Sequence, residues 1–389
     1  MYSPEGNQRS SEATGNGVGW PATAEQRARM AWARIAEPDD RTARAMIAEY
    51  GFVEALSMAS AGLSGPVRAS VERFRARLAD LSIERDAEIT ATIGARVLFP
   101  GDADWPVSVD DLAMPPWCLW VRGPVQPVQV ASRSAAIVGA RASTSYGEFV
   151  AADLAAGLSQ RGFSIISGAA FGIDAAAHGG CLADNGRTVA VLAGGVDRPY
   201  PAAHASLLGR IAEVGAIVSE VPPGSAPTRS RFLARNRLIA ALATGTVVVE
   251  AGLRSGARST VTAALALNRP VGAVPGPVTS MVSAGCHEDI RAGRASLVTD
   301  AAEVAELFGV IGQDLADERH GEVRPGDDLD QETFRVWQSL RVRRPSSVDA
   351  LTVSAGLSVV EVMSALGRLE AAALARRTPT GWCRCKPHG

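Results

Sequence analysis

From Ala135 onward, apolar runs of four or five residues alternate with longer stretches whose apolar positions recur at helical spacing. Ala135-Ala-Ile-Val-Gly139, Phe163-Ser-Ile-Ile-Ser167, Thr188-Val-Ala-Val-Leu192, Ala216-Ile-Val-Ser219, Thr246-Val-Val-Val-Glu250 and Val271-Gly-Ala-Val274 read as short buried strands. Between them, helices are predicted over 146–161, 174–185, 203–213 and 259–267, with one more ahead of the strand at Thr246. Largely β-branched strands alternating with helices imply a parallel sheet covered on both faces, a Rossmann-like, doubly wound α/β domain. Such sheets bind ligands beyond the carboxyl ends of their strands, where the strand order reverses.

The flanks have a different texture. Residues 1–26 are polar and rich in Gly and Ser, predicting a disordered tail. Residues 27–88 show helical spacing (Ile35, Ala43, Met46, Ile47, Tyr50) broken at Gly51 and Gly62–Gly65, which predicts a small helical domain, either of the SAM or helix-hairpin-helix kind or a plain helical bundle. Residues 89–123 turn strand-like and proline-rich, a lead-in that packs Trp117 and Trp120 against the main domain of 89–310. An acidic, aperiodic linker is expected over 311–330. Helices over 333–340, 348–355 and 358–373, then a terminal ribbon, suit a winged-helix-like domain at 331–389.

Composition narrows the class. The 389 residues are 47% hydrophobic but only 5% aromatic, and no apolar run reaches the roughly 18–20 residues of a membrane helix. The first residues lack the basic and apolar regions of a signal peptide, so a cytoplasmic, non-membrane protein is expected. A net charge of −2 argues against a wholly basic surface yet leaves room for a local basic cleft. Between Thr228 and Thr260 six arginines (229, 231, 235, 237, 254, 258) face one acid, Glu250. The cysteines at 118, 181, 286, 383 and 385 form no even framework and read as free thiols. Cys383, Cys385 and His388 have no evident fourth ligand, so no metal site is expected.

That basic stretch poses the central question. In Thr228-Arg-Ser-Arg-Phe-Leu-Ala-Arg-Asn-Arg-Leu-Ile-Ala240, positions 235, 238, 239 and 242 share one helical face, which points Arg235 inward. A buried guanidinium without an anion costs several kcal/mol, so an internal carboxylate or a bound phosphate should meet it. Most strand ends carry small residues: 139–147, 167–174, Gly194-Gly195 and 252–256. With Arg141 they form a plausible phosphate-binding rim at helix N-termini. Neither a dinucleotide fingerprint nor a Walker loop is present. Asp174 at a helix start reads as a cap, His178 as a surface or packing residue, and the Cys286-His287 pair as weak grounds for a nucleophile.

Taken together, these motifs resemble the DNA-processing protein A (DprA/Smf) family over most of the chain. They are Ile137-Val-Gly-Ala-Arg141 with Thr144-x-Tyr-Gly147, Ser167-Gly-x-Ala-x-Gly-Ile-Asp174, Gly195 with Tyr200-Pro201, and Ser219-Glu220 with Pro222-Pro-Gly224. Phe232-Leu-x-Arg-Asn-Arg-Leu-Ile-Ala240, Glu250-Ala-x-x-x-Ser-Gly256, Ala273-Val-Pro-Gly276 and Ser283-x-Gly285 complete the set. The resemblance implies a homodimeric, non-catalytic single-stranded DNA-binding protein without a cofactor. It would protect incoming DNA and load the RecA recombinase during natural transformation. By motif, Arg141, Thr144, Gly168, Gly195, Phe232, Arg235, Asn236, Arg237, Ser255 and Gly256 would line the DNA pocket. Phe232 or Phe171 could offer a base a stacking face.

Three other readings compete. Glu250 could neutralise Arg235 or Arg237 inside the fold, with Arg229 and Arg231 as solvated charges. A phosphoribohydrolase of the lysine-decarboxylase-like group would cleave nucleoside monophosphates, but its Pro-Gly-Gly-x-Gly-Thr-x-x-Glu motif is not matched at Glu250–Gly256. A duplex-binding regulator would act through the C-terminal domain.

Overall fold

The computed structural model describes residues 23–61, 68–317 and 326–385. The chain divides into two compact units, the first ending at Ala316 and the second beginning at Asp317. The expected N-terminal tail and the middle of the expected linker, 318–325, lie largely outside the described residues, as does the Gly62–Gly65 break. Residues 23–26 do not belong to a tail, because Thr23 and Gln26 form a reciprocal capping box at the start of the first helix.

In chain order the first unit holds α1 (Ala24–Ile35), α2 (Arg41–Ala61), α3 (Arg68–Leu78), α4 (Ile83–Thr92), β1 (Ala95–Leu98), β2 (Leu119–Arg122), α5 (Pro127–Ala131), β3 (Ser134–Val138) and α6 (Ser145–Gln160). Next come β4 (Ser164–Ser167), α7 (Ile173–Ala183), β5 (Thr188–Leu192), α8 (Ala205–Val214), β6 (Ala216–Ser219), α9 (Arg229–Leu242) and β7 (Gly245–Val248). The unit closes with α10 (Ala257–Ala266), β8 (Val271–Ala273), α11 (Ala284–Arg291), β9 (Ser296–Leu297) and α12 (Ala301–Phe308). Gly51 takes φ +76°, which bends α2 where the sequence pattern breaks.

The strands form one sheet in the order β1-β2-β6-β5-β4-β3-β7-β8-β9. β6 through β9 in that order pair in parallel, while β1 and β2 are antiparallel additions at the β6 edge. This is a Rossmann-like, doubly wound and mostly parallel sheet. Successive strand residues feed opposite cores. Ala136, Val138 and Ile166 pack with Leu238, Ile239 and Val261 from α9 and α10. Ala135, Ile137 and Ile165 pack instead with Leu154, Leu158 and Ala177 from α6 and α7. Each fully buried Val, Leu or Ile contributes roughly 1.5–3 kcal/mol, which is why near-continuous apolar strands suit this double cover.

The N-terminal helices are continuous with this unit. Met30, Trp32, Ile35, Ala43 and Met46 share a core with Trp117, Trp120, Leu208 and Ile217. Trp32 meets Trp117 edge-on at 6.3 Å between ring centroids.

The second unit contains α13 (Gln331–Ser339), α14 (Val348–Ala355), α15 (Val359–Ala371), β10 (Ala375–Thr378) and β11 (Gly381–Arg384). Val336, Leu351, Val362, Leu366, Leu369 and Trp382 make its separate core. Among the described residues no single helix is long and apolar enough to cross a membrane.

Candidate functional site

The order of the parallel strands reverses between β3 and β7, and the loops leaving these strands define the crevice. Ala140 N–H donates to Glu250 O at 2.7 Å, joining the two loops. The Glu250 carboxylate then accepts from Thr144 N–H at 2.9 Å and from its hydroxyl at 2.6 Å. Gly147 must lack a side chain because a Cβ there would collide with that carboxylate. Glu250 is therefore a brace across the switch point and neutralises neither Arg235 nor Arg237.

A cavity of about 880 Å³ opens at this crevice, lined by Gly139–Ala142, Tyr200, Pro227–Arg229, Phe232, Leu233, Arg235, Asn236, Gly252 and Arg254–Ala257. Its size falls within the roughly 300–1,000 Å³ of small-ligand pockets. α10 begins at its wall: Gly256 has no side chain to cap it, and the neighbouring Ser255 hydroxyl accepts from Ala257 N–H at 3.3 Å. Thr228 caps α9 at the same wall, accepting from Arg231 N–H at 3.3 Å.

The arginines sort into two groups. Arg231 pairs with Glu37 at 2.8 Å, Arg237 with Glu220 at 2.6 Å, and Arg258 with Asp289 at 2.6 Å. Burial acts to raise the Glu37 carboxyl, but Arg231 and Arg77 together hold it below the ordinary range. Through this contact, and through Arg34 donating to Pro223 O at 2.7 Å, the N-terminal helices fix the β6–α9 loop beside the cavity. Arg141, Arg229 and Arg254 are exposed, line the cavity, and make no ion pair with any described residue.

Arg235 belongs to neither group. It is only 6% exposed, and its Nη1 donates to Gly168 O at 2.8 Å and to Val191 O, while Nε donates to Asn236 Oδ1 at 3.1 Å. Main-chain carbonyls at the ends of β4 and β5 thus do part of what an anion would do. Burial lowers its pKa to about 10, with Asp174 opposing that shift, so it stays charged at neutral pH. Asp174 is the one carboxylate lining the cavity. Its Oδ2 accepts from Gly168 N–H at 3.1 Å and Ala170 N–H at 3.3 Å, and burial raises its pKa.

Of the sequence-predicted site residues, Arg141, Phe232, Arg235, Asn236, Ser255 and Gly256 meet at the cavity. The other four do not line it. Arg237 is held by Glu220, and Thr144 is bound to Glu250. Gly168 is the seat of Arg235, since a Cβ there would lie 2.6 Å from its guanidinium carbon. Gly195 packs under the next loop, donating to Ser225 O at 3.0 Å. Arg229 is exposed, as expected of a solvated charge, though it opens α9 and lines the cavity, whereas Arg231 is paired with Glu37.

Arg229, Arg254 and Tyr200 line the cavity but were not among the expected pocket residues, although Tyr200 belongs to the Tyr200-Pro201 motif. For Arg254 the signal was its place in a small-residue strand-end loop. Phe232 has Arg141 over its ring at 4.5 Å and Tyr200 at 5.6 Å. Phe171 stands outside the lining, edge-on to His204 at 4.7 Å.

Other candidate chemistry is tied down. His178 is fully buried, contrary to a surface placement; Thr188 donates to Ile165 O, so the Thr188 hydroxyl oxygen accepts from His178 Nδ1 at 2.6 Å. Burial pushes its pKa down to about 3, and it is neutral. Burial pushes the Cys286 thiol up to about 12, and His287 Nε2 contacts Gly276 O at 3.0 Å. Among the described residues no three His, Cys, Asp or Glu side chains gather around a common point; His388 lies outside them.

Fold and site together define a Rossmann-like α/β protein with an arginine-lined cleft at its topological switch. The chain belongs to the DprA/Smf family: the family described as DNA recombination-mediator protein A matches residues 96–309. A putative DNA processing protein DprA of Mycobacterium tuberculosis is 45% identical over 369 residues, 90% of this chain and 93% of its own. Protein Smf of Escherichia coli is 35% identical over 294 residues, 74% of this chain and 77% of its own. The X-ray structure of DNA processing protein A from Streptococcus pneumoniae superposes with a TM-score of 0.60 at 28% identity, covering 75% of this chain and all of that one. The protein accordingly has a role in DNA processing of the recombination-mediator kind.

Proposed function

We propose that the switch-point cleft holds the backbone of single-stranded DNA, and that the protein protects this DNA and loads RecA onto it during natural transformation. It acts in the cytoplasm as a homodimer and without catalysis. The observation that carries the DNA part is the convergence of Arg141, Arg229 and Arg254, with no acidic partner among the described residues, on the cavity that Arg235 also lines. Guanidinium groups pair with phosphate oxygens in a two-pronged geometry, and the positive end of the α10 dipole adds to the attraction. Family membership supports the RecA and dimer parts. The lining chemistry is directed at the backbone, so little sequence preference is expected.

The phosphoribohydrolase reading needs a carboxylate available at a glycosidic bond. Asp174 is engaged by two amides and Glu250 by Thr144, which leaves that reading without a supporting observation. A charge-reversed Arg141→Glu/Arg254→Glu protein tests the cleft: it should lose binding of a labelled dT oligomer while its thermal midpoint is kept. Unchanged binding would remove the DNA assignment, and release of free base from nucleoside monophosphates would establish the enzyme instead.

A further inference from the structure

The second unit carries a basic surface of its own. Arg384 N–H donates to Arg341 O at 3.0 Å, and Ser346 and Trp382 exchange two backbone hydrogen bonds of 2.9 Å. The segment from Arg341 to Ser346 therefore lies along β11, and β11 pairs with β10. The two-stranded ribbon and the irregular segment bridged to it at Ser346 expose Arg341, Arg343, Arg344, Arg376 and Arg377, and none of the five makes an ion pair with a described residue.

No Asp or Glu occurs from Leu340 to Val348 or from Ala371 to Cys385. The unit's described acids lie before or within its helices, at Asp330, Glu332, Asp349, Glu361 and Glu370 among others. The segment 341–346 and β10 flank β11 on its two sides, about 10 Å apart at an inter-strand spacing of about 4.8 Å, so their like charges lie within reach of one external polyanion. The ribbon has no aromatic platform for unstacked bases: Trp337 and Trp382 are both buried. Arg384 covers the Trp337 ring at 3.4 Å. A surface of guanidinium groups alone suits a continuous phosphate array, and duplex DNA presents one charge per roughly 1.7 Å of its axis.

We infer that this ribbon is a second nucleic-acid site, which grips the backbone of duplex DNA without reading its sequence. It is separate from the cleft in both residues and ligand form, so one chain carries a single-strand site and a duplex site.

The test uses the full chain and a quadruple variant, Arg343→Gln/Arg344→Gln/Arg376→Gln/Arg377→Gln. Fluorescence anisotropy follows a labelled blunt duplex and a dT oligomer of equal length across a salt series. The slope of log affinity against log salt for the duplex should become shallower by about 3 to 4, while dT binding stays at its wild-type value. Each double variant, 343/344 or 376/377, should account for about half of that change. An unchanged duplex slope overturns the inference, as does an equal loss of dT binding. It is also overturned if polyglutamate displaces the duplex from the wild type as effectively as unlabelled duplex does, because the surface would then serve acidic polypeptides.

Discussion

Replacing Arg141, Arg229 and Arg254 together by alanine separates binding from folding. All three side chains are exposed and none has an acidic partner among the described residues. Surface changes of this kind move stability within about 0.5 kcal/mol each, and the contact of Arg141 with the Phe232 ring adds roughly 0.5–1 kcal/mol. Each phosphate neutralised on a single strand contributes about 0.7 to the salt slope, so the triple variant should lose about 2.1 of it. Between about 50 and 200 mM salt the wild type should then weaken about 18-fold more than the variant. Anisotropy on a dT oligomer measures the slope, and a thermal melt measures stability. Arg235→Ala should behave differently, because Gly168 O and Val191 O would lose their buried donor at about 1–3 kcal/mol each. A triple variant with the wild-type salt slope would refute the assignment of these arginines to phosphate.

Glu220→Gln should destabilise the fold by about 3–5 kcal/mol, since Arg237 is left buried without its partner, while folded protein keeps its affinity for dT. His178 is held neutral by burial, with a pKa of about 3, so unfolded chains take up its proton first as pH falls below about 6.5. Stability should therefore drop by about 2 kcal/mol between pH 6.5 and 5, and His178→Asn should flatten that limb in urea titrations. Four of the five cysteines are buried and Cys385 is half-buried, so native labelling should modify one thiol quickly and the rest only after unfolding. Rapid labelling of Cys286 would contradict its sealed position on α11, where its sulfur faces Val248 O and Val249 O at the end of β7.

The parallel strands were legible because a strand covered on both faces needs an unbroken apolar run, and Thr188–Leu192 and Ala216–Ser219 have the predicted bounds. β9 was invisible: Ser296 and Leu297 are both exposed, and pairing alone makes them a strand. α12 carries a sequence signal in its Asp300 cap and in the helical spacing of Val304, Ala305 and Phe308, which the structure buries. The antiparallel addition of β1 and β2 left no local mark, since pairing direction is set by tertiary contacts.

At the site, Arg235 was correctly directed inward by its spacing, but its carbonyl partners could not be foreseen. Gly168 and Val191 lie 67 and 44 residues away and show no side-chain signature. The local excess of arginine was misleading for a similar reason. Three of the six are neutralised by Glu37, Glu220 and Asp289, all outside the segment in which the excess was counted.

The most direct measurement is photocrosslinking of a 4-thiothymidine oligomer to the full chain, followed by mapping of the modified peptides. Single-stranded DNA seated at the strand-order reversal should mark Tyr200 or Phe232 and the loops 139–147 and 250–257. Adducts confined to residues 341–385, or to surfaces remote from these loops, would contradict that placement.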